Sequence, residues 1–332
     1  MHSTNLMNGT KRFLVINTSF FGDILLTNPL CQNIKRIFPD SEIIFIANKP
    51  FVDAARYGED VDEVIAYDKK GKHHGLSGAW KFYQQYKKRF AAGFDAAFVI
   101  YGNERGIVLA KLFGAKKIYA DNSGLINCLV DNPRHIDYHG HTKVQYKNSV
   151  LLEFYTKKNI VDLPMQYILP KDIYFSLDKK LSAAGISSEQ KLICICTTSK
   201  KKEKDMPVQD CKVLMQKLRQ SGYLPVFVGA GQSARDYSAE LKQSKTDFLD
   251  MTDKTSIPEL GALLAKCSAL ISVDTGTMHL GLSVKTPVVC LFYIHTPQHL
   301  AAWAPEQKLY KSVVLKENIS PDAVMMSLKS IL

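Results

Sequence analysis

No stretch of this sequence approaches the roughly 20 consecutive apolar residues that cross a bilayer as a helix. That lack excludes a helical integral membrane protein. The opening residues, MHSTNLMNGTKRF, have no apolar centre of the secretory-signal kind, so the chain is expected in the cytoplasm. Acidic residues are short: 32 Asp and Glu face 43 Lys and Arg, a formal net charge of +11. The excess favours anionic partners such as nucleic acid, a phosphorylated glycolipid or an anionic membrane face. RRM, helix-turn-helix and zinc-finger patterns are missing, so nucleic acid is not the expected partner. The seven cysteines (Cys31, Cys128, Cys194, Cys196, Cys211, Cys267, Cys290) are odd in number and show no CxxC spacing. Most sit in apolar runs, so buried free thiols are expected, without a zinc site.

What is present points to an α/β protein. A length of 332 residues is too much for one ordinary core and suggests two domains. Apolar residues make up 46% and charged residues 23%, as in soluble globular chains. Strands are expected over residues 12–16, 42–47, 61–67, 95–101 and 116–120. Helices are expected over 24–38, 79–90 and 104–113, with Pro29 predicting a kink or a late start. The second half repeats the logic, with strands at 192–196, 224–228 and 248–250. Pro207 stands in the first-turn position of one helix, Gly222 follows that helix's end, and another helix is expected over 257–264. Residues 157–190, holding Pro164 and Pro170 but little regular pattern, read as the connection. Strands alternating with helices argue parallel sheets covered on both faces.

The most informative stretch is 269–292, ALISVDTGTMHLGLSVKTPVVCLF, read as strand, tight turn, helix, strand. A helix opening straight after a strand aims free N–H groups and partial positive charge past the sheet edge, where phosphate binds well. Asp274 can accept hydrogen bonds from the turn or a sugar hydroxyl, Thr275 offers a hydroxyl, and Gly276 clears space. The plainer alternative is that Asp274 and Thr275 only cap the helix. A second candidate turn, NTSFFGD at 17–23, also lies at a strand's carboxyl end, where ligands bind in such folds.

These residues resemble a family. SFFGD followed by LLTNPL, VDTGTMHL with TPVVCLF, DEVIAYDKKGKHHG, and Lys204 three residues before Pro207 in TTSKKKEKDMP look like the bacterial heptosyltransferases of lipopolysaccharide core synthesis, glycosyltransferase family 9. The resemblance touches both halves. It implies a GT-B fold: two Rossmann-like doubly wound domains facing across a cleft. An acceptor-binding domain would span 1–165 and a nucleotide-sugar-binding domain 166–332, with the last helix able to pack back on the first. It also implies an ADP-heptose donor and a phosphorylated inner-core glycolipid acceptor. The enzyme would act peripherally on the cytoplasmic face of the inner membrane, inverting the anomeric centre without metal or cofactor.

Carried onto this sequence, the resemblance makes Asp23 the general base, worth roughly 10² to 10⁴ in rate, with Ser19 and Gly22 in its turn. The alternative for Asp23 is capping of the following helix. Lys204 would meet the departing diphosphate, with Thr197, Thr198, Asp274, Thr275, Gly276 and His279 as donor contacts. Lys200, Lys201 and Lys202 read as a solvated charge run, and His279 taken alone would read as a packed helix residue. Ser19-Phe20 stands where many members carry two serines, and its aromatic favours enzymes adding a second or later heptose. Thr197-Thr198 replaces the usual Pro-Gly.

Rival readings come from other residues. Asp60-Val61-Asp62 has the spacing of a metal-binding DxD but precedes its strand. Gly229-Ala230-Gly231 before Ala234, with Asp250 near the next strand's end, is a partial dinucleotide fingerprint and keeps a nicotinamide-dependent oxidoreductase open. In the family reading that loop lies near the nucleoside, with Gln232 and Ser233 where an acidic residue often meets the ribose. A non-catalytic sugar-nucleotide-binding scaffold is a third class, against which Asp23 and Lys204 argue. The segment 69–90 is basic and aromatic, with Trp80, Tyr83 and Phe90 at helical spacing. It reads as a core helix with a charged outer face, or as a surface for phosphorylated sugars or anionic headgroups.

Overall fold

The computed structural model describes residues 10–58, 60–102, 104–121, 126–133, 136, 138, 140, 142–243 and 247–332; most of the N-terminal stretch read above for a signal lies outside them. The chain divides into two compact units, Met1–Leu163 and Pro164–Leu332.

In the first unit, β1 (Arg12–Asn17) leads to α1 (Phe21–Leu25) and α2 (Asn28–Ile37). The helix expected over 24–38 is thus two, and Pro29 sits in the first turn of the second, where its missing N–H costs nothing. Then follow β2 (Glu42–Asn48), α3 (Val52–Arg56), β3 (Glu63–Tyr67), α4 (Gly75–Tyr86), β4 (Ala96–Val99), α5 (Glu104–Leu112), β5 (Ile118–Ala120) and α6 (Val144–Thr156). α4 begins four residues before the expected start because Gly75, at φ +65, turns the chain into it. Its buried ring is Phe82, not Trp80. The sheet runs β3-β2-β1-β4-β5, all parallel.

The second unit holds α7 (Lys171–Ala183), β6 (Leu192–Cys196), α8 (Val208–Gln220), β7 (Leu224–Phe227), α9 (Gln232–Lys242), β8 (Leu249–Asp250), α10 (Ile257–Lys266), β9 (Ala269–Val273), α11 (Gly276–Ser283), β10 (Val288–Leu291), α12 (Pro297–Trp303), β11 (Ser312–Leu315) and α13 (Pro321–Ile331). The presumed connection over 157–190 therefore contains a helix: Pro170 does not break α7 but caps its start. Pro207 likewise is the N-cap of α8, one residue earlier than expected. The sheet order is β11-β10-β9-β6-β7-β8, again all parallel.

The strands are apolar along their length because both faces are covered. β6 and β9 are buried at every position. One face of the second sheet packs Ile193, Ile195, Ile271 and Leu291 against Leu214, Leu218, Leu241, Val324 and Leu328 of α8, α9 and α13. The last helix thus buries its apolar face in the core of its own unit. On the other face α11 lies close to β9: a Cβ added at Gly281 would stand 2.5 Å from the Leu270 side chain. Six of the seven cysteines are buried free thiols, and Cys128 is exposed.

Each sheet has one point where the strand order reverses, and loops leaving the neighbouring strands diverge there to open a crevice. In the first unit it lies between β1 and β4, in the second between β6 and β9.

Candidate functional site

At the first switch point, buried Asn17 pins the turn after β1. Its Nδ2 donates to the Asp23 carbonyl (3.0 Å) and to Thr27 Oγ1 (2.9 Å), and its Oδ1 accepts from Ser19 N–H (3.0 Å). Ser19 is held through its backbone, its carbonyl accepting from Asn48 Nδ2 at 3.3 Å. Phe20 is the N-cap of α1, Gly22 sits in its first turn, and Asp23 is its third residue. One Asp23 oxygen accepts from Phe20 N–H at 3.1 Å, so the carboxylate does hold the start of the helix, reaching back from the N3 position and not from the N-cap itself. The other oxygen accepts from Tyr101 Oη at 3.2 Å.

Tyr101 follows β4 and has φ 53 and ψ 30. A tyrosine held in the left-handed region costs on the order of 1–2 kcal/mol. Burial and the Asp23 charge push its phenol pKa up, so it stays protonated and donates. Lys69, after β3, donates to the Thr18 carbonyl at 2.5 Å and lies 5.8 Å from the Phe20 ring. Burial, then Arg105 and Lys70, push its pKa down, while Asp23 pulls the other way. The carboxylate thus sits between a phenol and the Lys69 ammonium.

At the second switch point, the loop after β6 closes through Met206 N–H donating to the Thr197 carbonyl (3.1 Å). Thr197 is fully buried, and its hydroxyl lies beside Cys211 and Tyr237, turned into the core and away from the surface where a donor contact was expected. Thr198 is buried as well, its Oγ1 3.3 Å from where a Cβ of Gly229 would stand. Lys200, Lys201 and Lys202 are exposed. Lys204 ends a short 3-10 turn and forms an ion pair with Asp274 Oδ2, joining the β6 and β9 loops.

Asp274 does not cap α11. The same Oδ2 also meets His299 Nε2 at 2.7 Å. Burial by itself would raise the Asp274 pKa; the hydrogen bonds from Lys204 and His299 outweigh it and hold the carboxyl below its ordinary value. Thr275 is the N-cap, yet its side chain makes no capping bond. The capping alternative fails for both residues, and the N–H groups of the first turn, beginning at Gly276, keep no side-chain cap. His279, inside α11, is buried; burial pushes its pKa down to about 4, so it is neutral at pH 7. Its Nδ1 has no protein partner. The Trp303 ring stands 6.3 Å from His279 and 6.2 Å from His299.

The structure therefore brings together Lys204, Asp274, Thr275, Gly276 and His279 in the second unit, and Ser19, Gly22 and Asp23 in the first. Sequence reasoning took Lys69 only as the start of the basic segment 69–90 and missed Tyr101, His299 and Trp303. The one available signal for the last two was HTPQHLAAW, where His295, His299 and Trp303 recur every four residues and Thr296 caps the helix by accepting from His299 N–H at 3.1 Å.

The rival motifs are used internally. Asp62 pairs with Lys35 (2.8 Å) and accepts from Ile43 N–H (2.7 Å). Asp250 accepts from Ser238 (2.8 Å) and Thr252 (2.6 Å) and pairs with Lys242, leaving it poorly placed to hold a ribose. A Cβ at Gly229 would come within 2.7 Å of Ala234 Cβ, so that glycine serves the close approach of α9.

The family model described as glycosyltransferase family 9 (heptosyltransferase) matches residues 91–329. Among characterised proteins, the lipopolysaccharide core heptosyltransferase OpsX of Haemophilus influenzae is 22% identical over 303 residues, covering 88% of this chain and 82% of OpsX. Lipopolysaccharide heptosyltransferase 3 of Escherichia coli K12 is 24% identical over 293 residues, covering 82% of this chain and 80% of that protein. Among solved structures, the family 9 glycosyl transferase of Veillonella parvula matches with a TM-score of 0.85 at 21% identity, covering 98% of this chain and 99% of its own. E. coli ADP-heptose LPS heptosyltransferase II matches at 0.78 and 18% identity, covering 96% and 98%. At these identities the structural likeness speaks to the fold, which is GT-B.

Proposed function

Since this chain belongs to glycosyltransferase family 9, the heptosyltransferases, we propose that it transfers heptose from ADP-heptose to the inner core of a phosphorylated lipopolysaccharide glycolipid, with inversion and without metal. The observation that carries the reading is the second switch point. There an ammonium, Lys204, stands with the uncapped first turn of α11, a pairing suited to a leaving diphosphate. In the reaction Asp23 takes the proton of the acceptor hydroxyl. The freed oxygen attacks the anomeric carbon from the face opposite the diphosphate, the sugar–phosphate bond breaks, and ADP leaves carrying the electron pair. Lys204 exchanges Asp274 for phosphate oxygen as charge develops. Neutral His279 offers its buried Nδ1 for a hydrogen bond but no charge at pH 7.

The acceptor is a second or later heptose site, a reading supported by exposed Phe20, 55% accessible beside Asp23, which offers a ring face for stacking on a sugar. The glycolipid resides in a membrane, and among the described residues no helix is long and apolar enough to cross one, so the enzyme meets its acceptor from the surface. The test is a donor panel: ADP-heptose and other sugar nucleotides, each with a truncated core glycolipid, read by mass and by the anomeric configuration of the product. One added heptose with inverted configuration, unaffected by EDTA, is expected. Transfer from a different sugar nucleotide only, or EDTA loss restored by magnesium, would overturn the reading.

A further inference from the structure

Helix α4 turns a stripe of its surface outward. Leu76, Trp80 and Tyr83 fall at i, i+4 and i+7, on the side away from buried Gly78, Ala79 and Phe82. Leu76 is 80% exposed and Trp80 53%. The Trp80 ring rests on Tyr83 at 5.1 Å, and Tyr83 rests on Phe113, at the end of α5, at 5.6 Å. α5 packs beside α4 and adds exposed Val108 and Leu112, one turn apart. Beneath this stripe the helix is firmly seated. A Cβ at Gly78 would fall 2.2 Å from the His73 backbone, and the Tyr67, His73 and Phe82 rings pack together at 4.9–5.3 Å.

The charge along α4 has one sign, while exposed Glu104 opens α5. Residues 69–90 carry seven Lys and Arg and no Asp or Glu. Lys70, Lys81, Lys87 and Lys88 are exposed, as is Lys111 on α5. Isolated surface apolar side chains need no explanation, but a contiguous set rimmed by cations marks a surface that meets something apolar and anionic at once. A soluble phosphate ligand would use the lysines and leave Leu76 and Trp80 idle. A bilayer with anionic headgroups uses both: aliphatic and indole groups sit in the headgroup–acyl boundary while lysines meet lipid phosphate.

We propose that the outer face of α4 and α5 docks on an anionic lipid bilayer. The inference builds on the acceptor reading above, since the loop from β3 carries Lys69, beside Asp23, directly into α4.

The experiment uses the full chain and vesicles of phosphatidylcholine with or without phosphatidylglycerol. Of the two tryptophans, Trp303 is changed to Phe so that Trp80 reports alone. Phosphatidylglycerol vesicles should shift Trp80 emission to the blue, brominated acyl chains should quench it, and salt should reverse binding. In the chain that keeps Trp303, Leu76→Asp and, separately, Lys87→Glu with Lys88→Glu should lower co-sedimentation at least about tenfold, with turnover on a truncated water-soluble acceptor unchanged. Equal binding by these variants, equal binding to neutral vesicles, or no quenching would overturn the proposal. So would a concentration-dependent dimer broken by Leu76→Asp, which would assign the face to a second copy. Absence of transfer to the soluble acceptor by the unaltered chain would instead count against the heptosyl-transfer reading and leave vesicle binding standing on its own result.

Discussion

At the scale of single residues, Asp23 holds the start of α1 and is the base in the proposed reaction, and a variant separates the two roles. Asp23→Asn keeps a capping oxygen for the Phe20 N–H but cannot take a proton. It should fold and bind ADP normally while turnover falls at least about a hundredfold; near-normal turnover would remove the assignment. Tyr101→Phe deletes the other hydrogen bond to that carboxylate. A net bond of about 1 kcal/mol corresponds to a roughly fivefold change, so kcat should drop several-fold with the donor KM unmoved; a change in KM alone would mean that Tyr101 serves binding. Lys204→Ala should weaken ADP binding in calorimetry and lower turnover. Asp23 and Lys204 were legible because each belongs to a short local motif. Tyr101 and His299 were not: their carboxylate partners lie 78 and 25 residues away, and only the order of strands brings them together.

At the scale of elements, helix packing makes two further tests. Glu259 of α10 accepts from Ser256 N–H (2.8 Å) and Ser176 (2.8 Å) and pairs with Lys180 of α7 (2.8 Å). Burial opposes its charge, yet these bonds win and pull its pKa to about 2, against 4.5 ordinarily. A carboxylate with a lowered folded pKa adds stability above the unfolded value and loses it as pH falls through the folded one. Denaturant midpoints should therefore decline from about pH 4.5 towards 2, and Glu259→Gln, weaker at neutral pH, should flatten that decline. Gly281→Ala forces a methyl onto Leu270 between α11 and β9 and should cost about 1–2 kcal/mol, a few degrees of Tm by calorimetry. Elements were readable where apolar period and punctuation agreed, as at Leu192–Cys196 and Ile257–Lys266. α7 was not, because Pro164 and Pro170 look like loop punctuation while Pro170 in fact starts the helix.

At the scale of the whole molecule, alternating strands and helices were enough to expect parallel sheets. The switch points were not readable, because pattern gives the elements but not which strand lies beside which. One ranking tests the whole-chain assignment: ADP and ADP-heptose should raise the melting temperature, and NAD or NADP at equal concentration should do so much less, since stabilisation follows affinity when concentrations match. The reverse order would favour the dinucleotide fingerprint at Gly229 and Gly231.

The same strand order bears on how the chain is made. β1 ends up in the middle of its sheet, with β2 on one flank and β4 on the other. β2 leaves the ribosome soon after β1, but β4 begins only at Ala96. At about 5–20 residues per second, β1 waits on the order of ten seconds with an apolar edge unpaired. The second unit repeats the delay, with β6 waiting for β9. An unpaired apolar strand edge is a template for aggregation, so the nascent chain of this enzyme exposes such an edge twice during one synthesis.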